Sequence, residues 1–466
     1  MTSTFATLAL ARPTFDVPFA EDMAARAFAA LDAAGVKTIG PRTLMFDAAA
    51  AAAAMAAIPR SSYDRLLLLQ VTFTDASMTV ELARSTPAPL AIWAFPEPRA
   101  GERLRLNSFC GLNLALHALG RDGRNASYLY ADPGTVQHDM LHALVGSSPA
   151  PASARSVPAA ATPAEREAAR KALEAVRGTS IGLVGEHPGG FDTCRFDDAT
   201  VARLTGMDVA RVPLGEVFEM ARSTPAATLE TTRARVATLD GIDAVDQAQL
   251  ARSLTIHAAL SNVAQKKRCG ALAVRCWPEM FTEYGCAACG PMGMLNGEKM
   301  PAACEADVFG AITARLMQEI AGEPSWLVDI VDIDAASDTG VFWHCGSAPM
   351  SMCDPQAKPA AQIHSNRRMP LLYQFPLKPG RITVARLSQA RNEVKLVVAG
   401  GEVVRAPMSF TGTSAVVRFD GGAKAAMRGL LDQALEHHVA MVYGEHRGAM
   451  AALGEAMNVP VVELGA

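Results

Sequence analysis

The sequence predicts an α/β protein with two parallel-sheet domains followed by a β-rich C-terminal domain that contains a small antiparallel barrel. Strand-like and helix-like segments alternate over about the first 340 residues, which is the order expected for parallel sheets covered by helices. A proline-rich stretch of small residues at 146–167 interrupts this alternation and is interpreted as a linker. Beyond residue 340, apolar and polar residues alternate with the period of a strand, and glycine turns separate these segments. This pattern indicates an antiparallel region.

The length supports several domains, because 466 residues exceed what one ordinary core accommodates. We place the N-terminal α/β domain at 1–170, the second α/β domain with the candidate metal carboxylates at 171–340, and the β-rich domain at 341–466.

The first domain is predicted from alternating apolar strands and amphipathic helices. In chain order they are a strand FATLALARP, a helix EDMAARAFAALDAAG, a strand VKTIG, an alanine-rich helix at 48–57, a strand RLLLLQVTF, a further helix, a strand LAIWAFPEP and a helix LNLALHALGRDG.

The second domain restarts the same alternation after the linker. Its predicted elements are a strand with a glycine-rich turn TSIGLVGEHPGG, a strand and helix VARVPLGEVFEMA, a helical block at 226–265 and a buried strand ALAVRCWPEM. A second glycine-rich stretch, GPMGMLNGEKM, is interpreted as an active-site loop. Neither glycine-rich stretch has the spacing of a Rossmann or Walker motif, so no nucleotide site is predicted.

The third domain consists of strands within GRITVARLSQARNEVKLVVAGGEVV and SFTGTSAVVRF. A final helix over 424–444 and a final strand VPVVEL close the chain.

Composition and charge exclude several classes of protein. A net charge of -4 with 50% hydrophobic residues describes a globular protein rather than a nucleic-acid binder, which would carry a basic excess. The N-terminal residues have no basic leader or cleavage site, and no run of about 18 apolar residues predicts a membrane span. The chain has nine cysteines, an odd number, and no predicted secretory signal. This combination favours reduced thiols, so a cytoplasmic location is predicted.

Glu305 is the first candidate for chemistry. It precedes Val308, Ile312, Leu316 and Ile320, which recur at every fourth residue, and it is predicted on the same helical face. A helix N-terminus stabilises an ionised carboxylate, as a metal ligand requires. Periodicity alone leaves open whether Glu305 is a solvent-facing acid of the first helical turn or a carboxylate held in a pocket.

A second acidic motif follows in SWLVDIVDID, a predicted buried strand with Asp329 at its end and two further acids, Asp332 and Asp334. Buried charges are tolerated only when they are paired or bound to a metal. His344 ends another apolar stretch, and His437 and His438 lie near the C-terminus. Carboxylates and an imidazole from separate elements are the ligands of a divalent metal with open positions, although each histidine alone could be a packed or surface residue.

The cysteines offer a different hypothesis, a structural zinc site. Cys286 and Cys289 in CAAC have zinc-ligand spacing. A closed zinc site needs two such pairs, and the other cysteines are scattered singly, which favours buried thiols.

The segments that contain Glu305, Asp329 and His344 resemble a known protein family. The segment MPAACEADVFGAITARLMQEIAGEPSWLVDIVDID, together with VFWHCGSAP, closely resembles the junction between the second and third domains of L-fucose isomerase-like proteins, within the L-fucose/L-arabinose isomerase group. Further similar pieces, spread over nearly the whole chain, are RPTFDVPFAE, LLLLQVTFTDAS, PEPRAGERLRLNSFCGLN, GLVGEHPGGFDTC and HHVAMVYGEHRGAM.

The resemblance implies a cytoplasmic sugar isomerase of carbohydrate metabolism, which interconverts an aldose and a ketose with a divalent metal, commonly manganese. It implies a homo-oligomer, a trimer or hexamer. Glu305 and Asp329 match the two family carboxylates that bind metal and move protons, and His438 matches the metal-binding histidine, with His437 as the alternative. His344 lies near a further ligand position of arabinose isomerases, and Trp343 beside it joins the candidates for substrate or supporting contacts.

The substrate is predicted to be a monosaccharide, a hexose or pentose of the fucose or arabinose type or a modified sugar. Arg367 and Arg368 in HSNRRMP suit planar anions, so an anionic sugar such as a sulfosugar of the sulfoquinovose type is an alternative. A solvated basic loop would explain the same arginines. A sugar-binding protein of this fold that lacks catalysis is a further alternative, against which the retained acids and terminal histidine argue.

Overall fold

The computed structural model of the chain describes residues 3–146 and 160–465. The predicted linker at 146–167 therefore lies largely outside the described residues. Its last part is helical, because Pro163 occupies the first helical position and Thr162 and Glu165 form a capping box that satisfies free N–H groups.

The N-terminal sheet is parallel, as predicted, and helices connect its strands. Its order is β2-β1-β4-β5-β6, with β3 paired to β1. The strands are β1 Thr4–Leu10, β2 Lys37–Ile39, β3 Leu44–Met45, β4 Arg65–Gln70, β5 Leu90–Ala94 and β6 Ala126–Tyr130. The helices are α1 Val17–Ala33, α2 Ala48–Ala56, α3 Ser77–Ser85, α4 Ser108–Arg121 and α5 His138–Gly146.

The middle sheet is also parallel, with the order β10-β9-β7-β8. Its strands are β7 Ser180–Val184, β8 Asp208–Val212, β9 Cys269–Val274 and β10 Ala302–Ala303. The helices of this part are α6 Pro163–Val176, α7 Asp198–Thr205, α8 Leu214–Arg222, α9 Ala226–Val236, α10 Gln247–Lys266, α11 Cys289–Gly297 and α12 Val308–Ala321. The prediction of a loop at 290–300 is wrong, because most of that stretch forms the buried helix α11.

The C-terminal sheet is large and mixed, with the order β13-β14-β17-β12-β11-β18-β15-β16-β19. Most pairs are antiparallel, and β14–β17 and β16–β19 are parallel. Its strands are β11 Trp326–Asp334, β12 Thr339–His344, β13 Ala360–Gln362, β14 Leu372–Pro376, β15 Gly380–Ser388, β16 Lys395–Val404, β17 Thr413–Phe419, β18 His438–Tyr443 and β19 Val461–Glu463. The helices of this part are α13 Ala423–Asp432 and α14 Arg447–Met457.

An additional pairing makes part of this sheet circular. Strand β17 pairs with both β12 and β16, so the pairings β12-β11-β18-β15-β16-β17 return to their starting strand. The predicted β-rich C-terminal part is therefore present, whereas the small barrel stays a prediction.

Two strands of the site differ from what the sequence pattern predicted. The helix predicted over 424–444 ends at Asp432, and β18 begins at His438. The apolar run HVAMVY lies between β11 and β15 and is buried along most of its length, and such a run of five apolar residues cannot be distinguished from a helix by periodicity. Asp329, grouped by sequence with the second domain, lies on β11 of the C-terminal sheet, while the domain boundaries themselves stay predictions.

Helix α4 joins the N-terminal and C-terminal parts. Its residues from Ser108 to Gly120 are all buried, and Asn113 Nδ2 donates to the carbonyl oxygen of Leu435 at 2.8 Å. One apolar cluster spans the N-terminal sheet, this helix and the C-terminal strands. The histidine-bearing start of β18 is therefore held from the N-terminal side. In the described part of the chain, no helix has the length and apolar character needed to cross a membrane.

Candidate active site

A cavity lies where residues from the three sheets meet. Glu305, Asp329, His344 and His438 line one end, which we call the acidic end. His437 also lines the cavity, and the aromatic rings of Trp277, Phe281 and Trp343 form part of its wall. The structure thus brings together at one site the two candidate carboxylates and the three candidate histidines, which lie on separate segments of the sequence.

Glu305 is held by an unusual turn. It lies in the three-residue turn Cys304–Ala306 after β10, and both Glu305 and Ala306 have left-handed backbone angles, with φ of 53° and 54°. Such angles cost an L-residue roughly 1–2 kcal/mol, and strained residues of this kind cluster at active sites. The prediction that Glu305 shares the buried stripe of the following helix is wrong, because Asp307 caps α12 and the helix begins at Val308.

The two oxygens of Glu305 have different surroundings. Oε1 accepts a hydrogen bond from the indole N–H of Trp277 at 2.9 Å and lies 3.6 Å from the thiol of Cys276. Oε2 is buried and has no hydrogen-bond partner among the described residues, yet it lies 3.5 Å from Nε2 of His438. One oxygen is therefore fixed, and the other remains available to a ligand.

Strand register places Asp329 beside His438. Asp329 pairs with Trp343 on β12 and with His438 on β18. It therefore lies within β11, and the prediction that it ends the strand is wrong. Its Oδ1 is buried, lies 3.1 Å from Nε2 of His438 and makes no hydrogen bond in the described structure.

His438 is oriented by a residue that the sequence interpretation missed. Its Nδ1 lies 2.8 Å from Oδ2 of Asp307, which is an acceptor, so Nδ1 carries the proton and Nε2 is directed at the two carboxylates. Asp307 also pairs with the fully buried Arg386, which donates to the carbonyl oxygen of Thr193 at 3.0 Å. A carboxylate behind a histidine is the usual support for a metal-binding imidazole.

The other two histidines of the cavity have distinct hydrogen bonds. The backbone N–H of Cys345 donates to Nδ1 of His344 at 2.9 Å, so the proton of the neutral ring resides on Nε2. For His437, Nδ1 lies 3.2 Å from Oδ1 of Asn113. Because the amide nitrogen of Asn113 donates elsewhere, this oxygen accepts, and Nε2 of His437 is left as an acceptor.

The electrostatics of the acidic end favour ionised groups. Burial alone would lower the pKa of His344, but the charge of Asp329 outweighs it and raises the pKa to about 9. The pKa of His438 is raised well above its usual value, because Asp329 and Asp307 outweigh the effect of burial. Burial raises the pKa of Asp329, but the two imidazoles prevail and hold it well below the ordinary range. Burial instead lowers the pKa of His437 to about 3, so this ring is neutral.

The acidic end fits a divalent cation. Glu305 Oε2 and Asp329 Oδ1 are buried acceptors without hydrogen-bond partners among the described residues. Nε2 of His438 lies 3.5 Å from the first and 3.1 Å from the second. Ligands at right angles around a small cation, at about 2.1 Å from it, lie about 3 Å apart. Unpartnered buried groups cost free energy, which a shared cation would remove.

The remaining predicted residues fall into three places. Arg367 lines the cavity and Trp343 forms its wall, whereas Arg368 is exposed and does not line it. Asp332 and Asp334 are outside the site: Arg99 donates to Asp332 at 2.6 Å, and Asp334 caps its own turn. The clusters of potential metal-binding side chains formed by the described residues include neither Cys286 nor Cys289, so the zinc hypothesis gains no support.

Sequence reasoning missed Asp307, Arg386, Trp277 and Arg12. Asp307 had a local signal, since an aspartate directly before an apolar helical run is a typical N-cap. Arg386, Trp277 and Arg12 had none, because they reach the site through tertiary packing.

Comparisons with known proteins show which families the two ends of the chain resemble. Residues 6–145 match the family described as "Fucose/sulfoquinovose isomerase, N-terminal domain", and residues 342–465 match "L-fucose isomerase, C-terminal domain". Asp329 lies between the two matched ranges, and His438 lies within the second.

Among the curated relatives, a "Sulfoquinovose isomerase" of Alkalicoccus urumqiensis is 28% identical over 409 residues, covering 86% of this chain and 86% of the relative. One of the same name from Priestia aryabhattai is 26% identical over 455 residues, covering 97% of this chain and 96% of its own length. The likeness therefore extends over most of the chain, including the part between the two family matches.

Proposed function

This chain belongs to the fucose/sulfoquinovose isomerase family, and on that premise we propose that it interconverts the aldose and ketose forms of a sulfonated hexose. The observation that carries the chemistry is the convergence of unpartnered carboxylate and imidazole atoms in one cavity. The sulfonated substrate is inferred from the relatives, which are named sulfoquinovose isomerases.

Glu305, Asp329 and His438 are proposed to hold the divalent cation. When bound, the cation would supply Lewis-acid polarisation of the sugar oxygens and a template for their orientation. Asp307 keeps the imidazole of His438 in the tautomer that presents a lone pair on Nε2. We propose Mn²⁺, which the family resemblance suggests.

The carboxylates are proposed to move the proton between the two reacting carbons. One of Glu305 and Asp329 removes the proton from carbon 2, which leaves a carbon–carbon double bond in an ene-diol, and a carboxylate then returns a proton to carbon 1. The reaction conserves protons and electrons, so it needs no co-reactant. Glu305 remains in position throughout because Trp277 holds its other oxygen.

The same reaction also requires a proton on the oxygen of carbon 1 and the loss of one from the oxygen of carbon 2. His344 is suited to this task, since its Nε2–H is directed toward the carboxylates and has no partner in the described structure. We propose that it donates to the oxygen of carbon 1 and later accepts the proton from the oxygen of carbon 2.

Three further properties are proposed rather than observed. The names of the relatives suggest that the substrate is a sulfosugar, while a neutral sugar of the fucose or arabinose type is the competing candidate. The family resemblance suggests a homo-oligomer, and the cysteine content suggests a cytoplasmic protein.

The test is a Mn²⁺-supplemented assay of ketose formation from sulfoquinovose and from neutral aldoses, with wild-type protein and Glu305→Gln. We expect turnover by the wild type and a loss of at least about 10³-fold in the variant, since a metal-binding carboxylate and a proton-transfer group are removed together.

Asp334→Asn is the matched control, because this acid caps an exposed turn outside the cavity. It should retain wild-type activity. Full activity of Glu305→Gln would refute the assignment of the site. Binding of sugars without turnover in the wild type would instead favour a sugar-binding protein without catalysis.

A further inference from the structure

Two guanidinium groups lie in the same cavity as the acidic end. Arg12 follows β1 of the N-terminal sheet, and Arg367 lies in the loop between β13 and β14. The pKa of Arg367 is lowered, first by burial and then by the charge of Arg12. These two positive charges are therefore close enough to repel each other, and we call this part of the cavity the basic end.

The basic end carries more positive than negative charge. Arg12 pairs with Asp75, whose carboxylate also accepts from the backbone N–H of Ser77. Arg367 has no carboxylate within ion-pair distance in the part of the chain that the structure describes. Two guanidinium charges against the one carboxylate of Asp75 leave one net positive charge, and a half-buried charge without a partner favours a bound anion.

Aromatic rings hold both guanidinium groups against the cavity wall. The Cζ atom of Arg12 lies 5.6 Å from the ring of Phe73 and 5.6 Å from that of Trp277, and Cζ of Arg367 lies 5.8 Å from Phe281. These distances are within the range of cation–π contact. The rings orient the guanidinium groups but leave N–H donors free.

The loop geometry turns Arg367 inward and Arg368 outward. Nδ1 of His364 accepts the backbone N–H groups of Asn366 and Arg367, each at 3.2 Å, and the carbonyl oxygen of His364 accepts the N–H of Arg368 at 2.7 Å. Arg368 then adopts a left-handed φ of 60° and is exposed. The neighbouring Asn366 also lines the cavity, and its buried Oδ1 has no partner in the described structure.

Trp277 links the two ends of the cavity. Its N–H binds Glu305 at 2.9 Å, and its ring contacts Arg12. A sugar that lies along this indole with its reacting carbons at Glu305 therefore directs its far end toward the guanidinium groups.

We propose that Arg12 and Arg367 bind the sulfonate of the substrate and so select an anionic sugar. The orientation of the sugar rests on the function proposed above, whereas the anion site itself rests on the charges and contacts of the two arginines. Guanidinium groups match tetrahedral oxyanions with paired N–H donors. A sulfonate carries a single negative charge, which matches the net charge of the basic end, whereas a phosphate ester carries about -1.5 to -2 near pH 7.

The test compares Arg367→Gln with the adjacent Arg368→Gln. The kcat/KM of each is measured for sulfoquinovose and for 6-deoxyglucose, which has a hydrogen in place of the sulfonate. We expect Arg367→Gln to lower the ratio of the two kcat/KM values by about 10–100-fold, the effect of losing a hydrogen bond to a charged group. Arg368→Gln should leave the ratio unchanged, and Arg367→Lys should restore part of it because the positive charge is kept.

A binding measurement separates this proposal from the proposed catalysis. Metal-free wild-type protein and Arg367→Gln are titrated calorimetrically with sulfoquinovose, 6-deoxyglucose and glucose 6-phosphate. Tighter binding of sulfoquinovose than of the other two sugars by the wild type, lost in Arg367→Gln, would support the anion site even if no sugar is isomerised. An equal effect of the substitution on sulfoquinovose and 6-deoxyglucose, or preference for the phosphate, would overturn it.

Discussion

His344 and His364 both line the cavity, His344 among the carboxylates of the acidic end and His364 beside Arg367 of the basic end, and the two rings differ sharply in their pKa. Burial acts on both rings in the same direction, toward the neutral form. At the acidic end the charge of Asp329 reverses this effect and raises the pKa of His344 to about 9. At the basic end burial and then Arg367 act together, and the pKa of His364 falls to about 3.

The difference shows that neighbouring charges, rather than burial, distinguish the two ends. The acidic end holds carboxylates that keep its imidazoles protonated in the metal-free protein, and a cation can take the place of the proton on His438. The basic end has guanidinium groups around a neutral imidazole, which leaves its positive charge available to an anion. The two ends thus have opposite charge preferences, and a substrate that carries both a carbonyl end and an anionic end suits the cavity.

The largest expected effect comes from removing the charge of the acidic end. Asp329→Asn should lower kcat by at least about 10³-fold, because the cation loses a ligand and the carbons lose a proton-transfer group. The assay of ketose formation with excess Mn²⁺ measures this loss.

Asp332→Asn is the comparison variant, since Asp332 is buried on the same strand but pairs with Arg99 outside the cavity. It should retain activity while its free energy of unfolding falls by about 1–3 kcal/mol, because Arg99 loses a charged partner. Equal loss of activity in both variants would contradict the distinction between the two aspartates.

A smaller effect is expected from replacing Asp307, whose carboxylate accepts the hydrogen bond from Nδ1 of His438. Asp307→Asn should weaken Mn²⁺ binding by about 10–100-fold, because a neutral amide increases the basicity of His438 less than a carboxylate does. Isothermal titration calorimetry gives the Kd. Asp334→Asn serves as the control, and an unchanged Kd in Asp307→Asn would show that Asp307 does not support the imidazole of His438 in binding the metal.

Metal binding should also depend on pH. In the metal-free protein the pKa of His438 is raised well above its usual value, first by Asp329 and then by Asp307 against the effect of burial. A cation can use Nε2 only after the ring releases a proton, so near pH 7 binding should release about one proton and the affinity should rise about tenfold per pH unit. Calorimetry in buffers of different ionisation enthalpy counts the protons, and a count near zero would contradict this ionisation state.

The smallest effect concerns the basic end. The folded pKa of His364, about 3, lies below the value of about 6.5 in an unfolded chain. Between these values the unfolded chain binds more protons, so this group makes stability fall as pH decreases from about 6.5 toward 3, by at most about 1.4 kcal/mol per pH unit.

His364→Asn should reduce that slope while an amide oxygen keeps the two backbone N–H groups of the loop paired. Denaturant unfolding between pH 4 and 7 measures the slope. His142→Asn, at an exposed helical position, is the control, and equal slopes in wild type and His364→Asn would contradict the lowered pKa.

Local pattern was a good guide where each element depends on its own residues. The parallel strands of the N-terminal sheet and the middle sheet were predicted because apolar runs such as RLLLLQ alternate with amphipathic helices. Pattern was misleading at 290–300, where a glycine-rich segment forms a helix, and at 424–444, where a strand begins at His438. In both cases packing against neighbouring elements outweighed local preference.

The candidate site shows the same division. The sequence by itself determined the alternation of strands and helices and, through its motifs, singled out Glu305, Asp329 and His438. Only the tertiary structure decided that Glu305 occupies a left-handed turn, that strand register places Asp329 beside His438, and that Arg12 joins Arg367. The physical reason is that periodicity is encoded by near neighbours, whereas charge pairing and strand register depend on residues far apart in the chain.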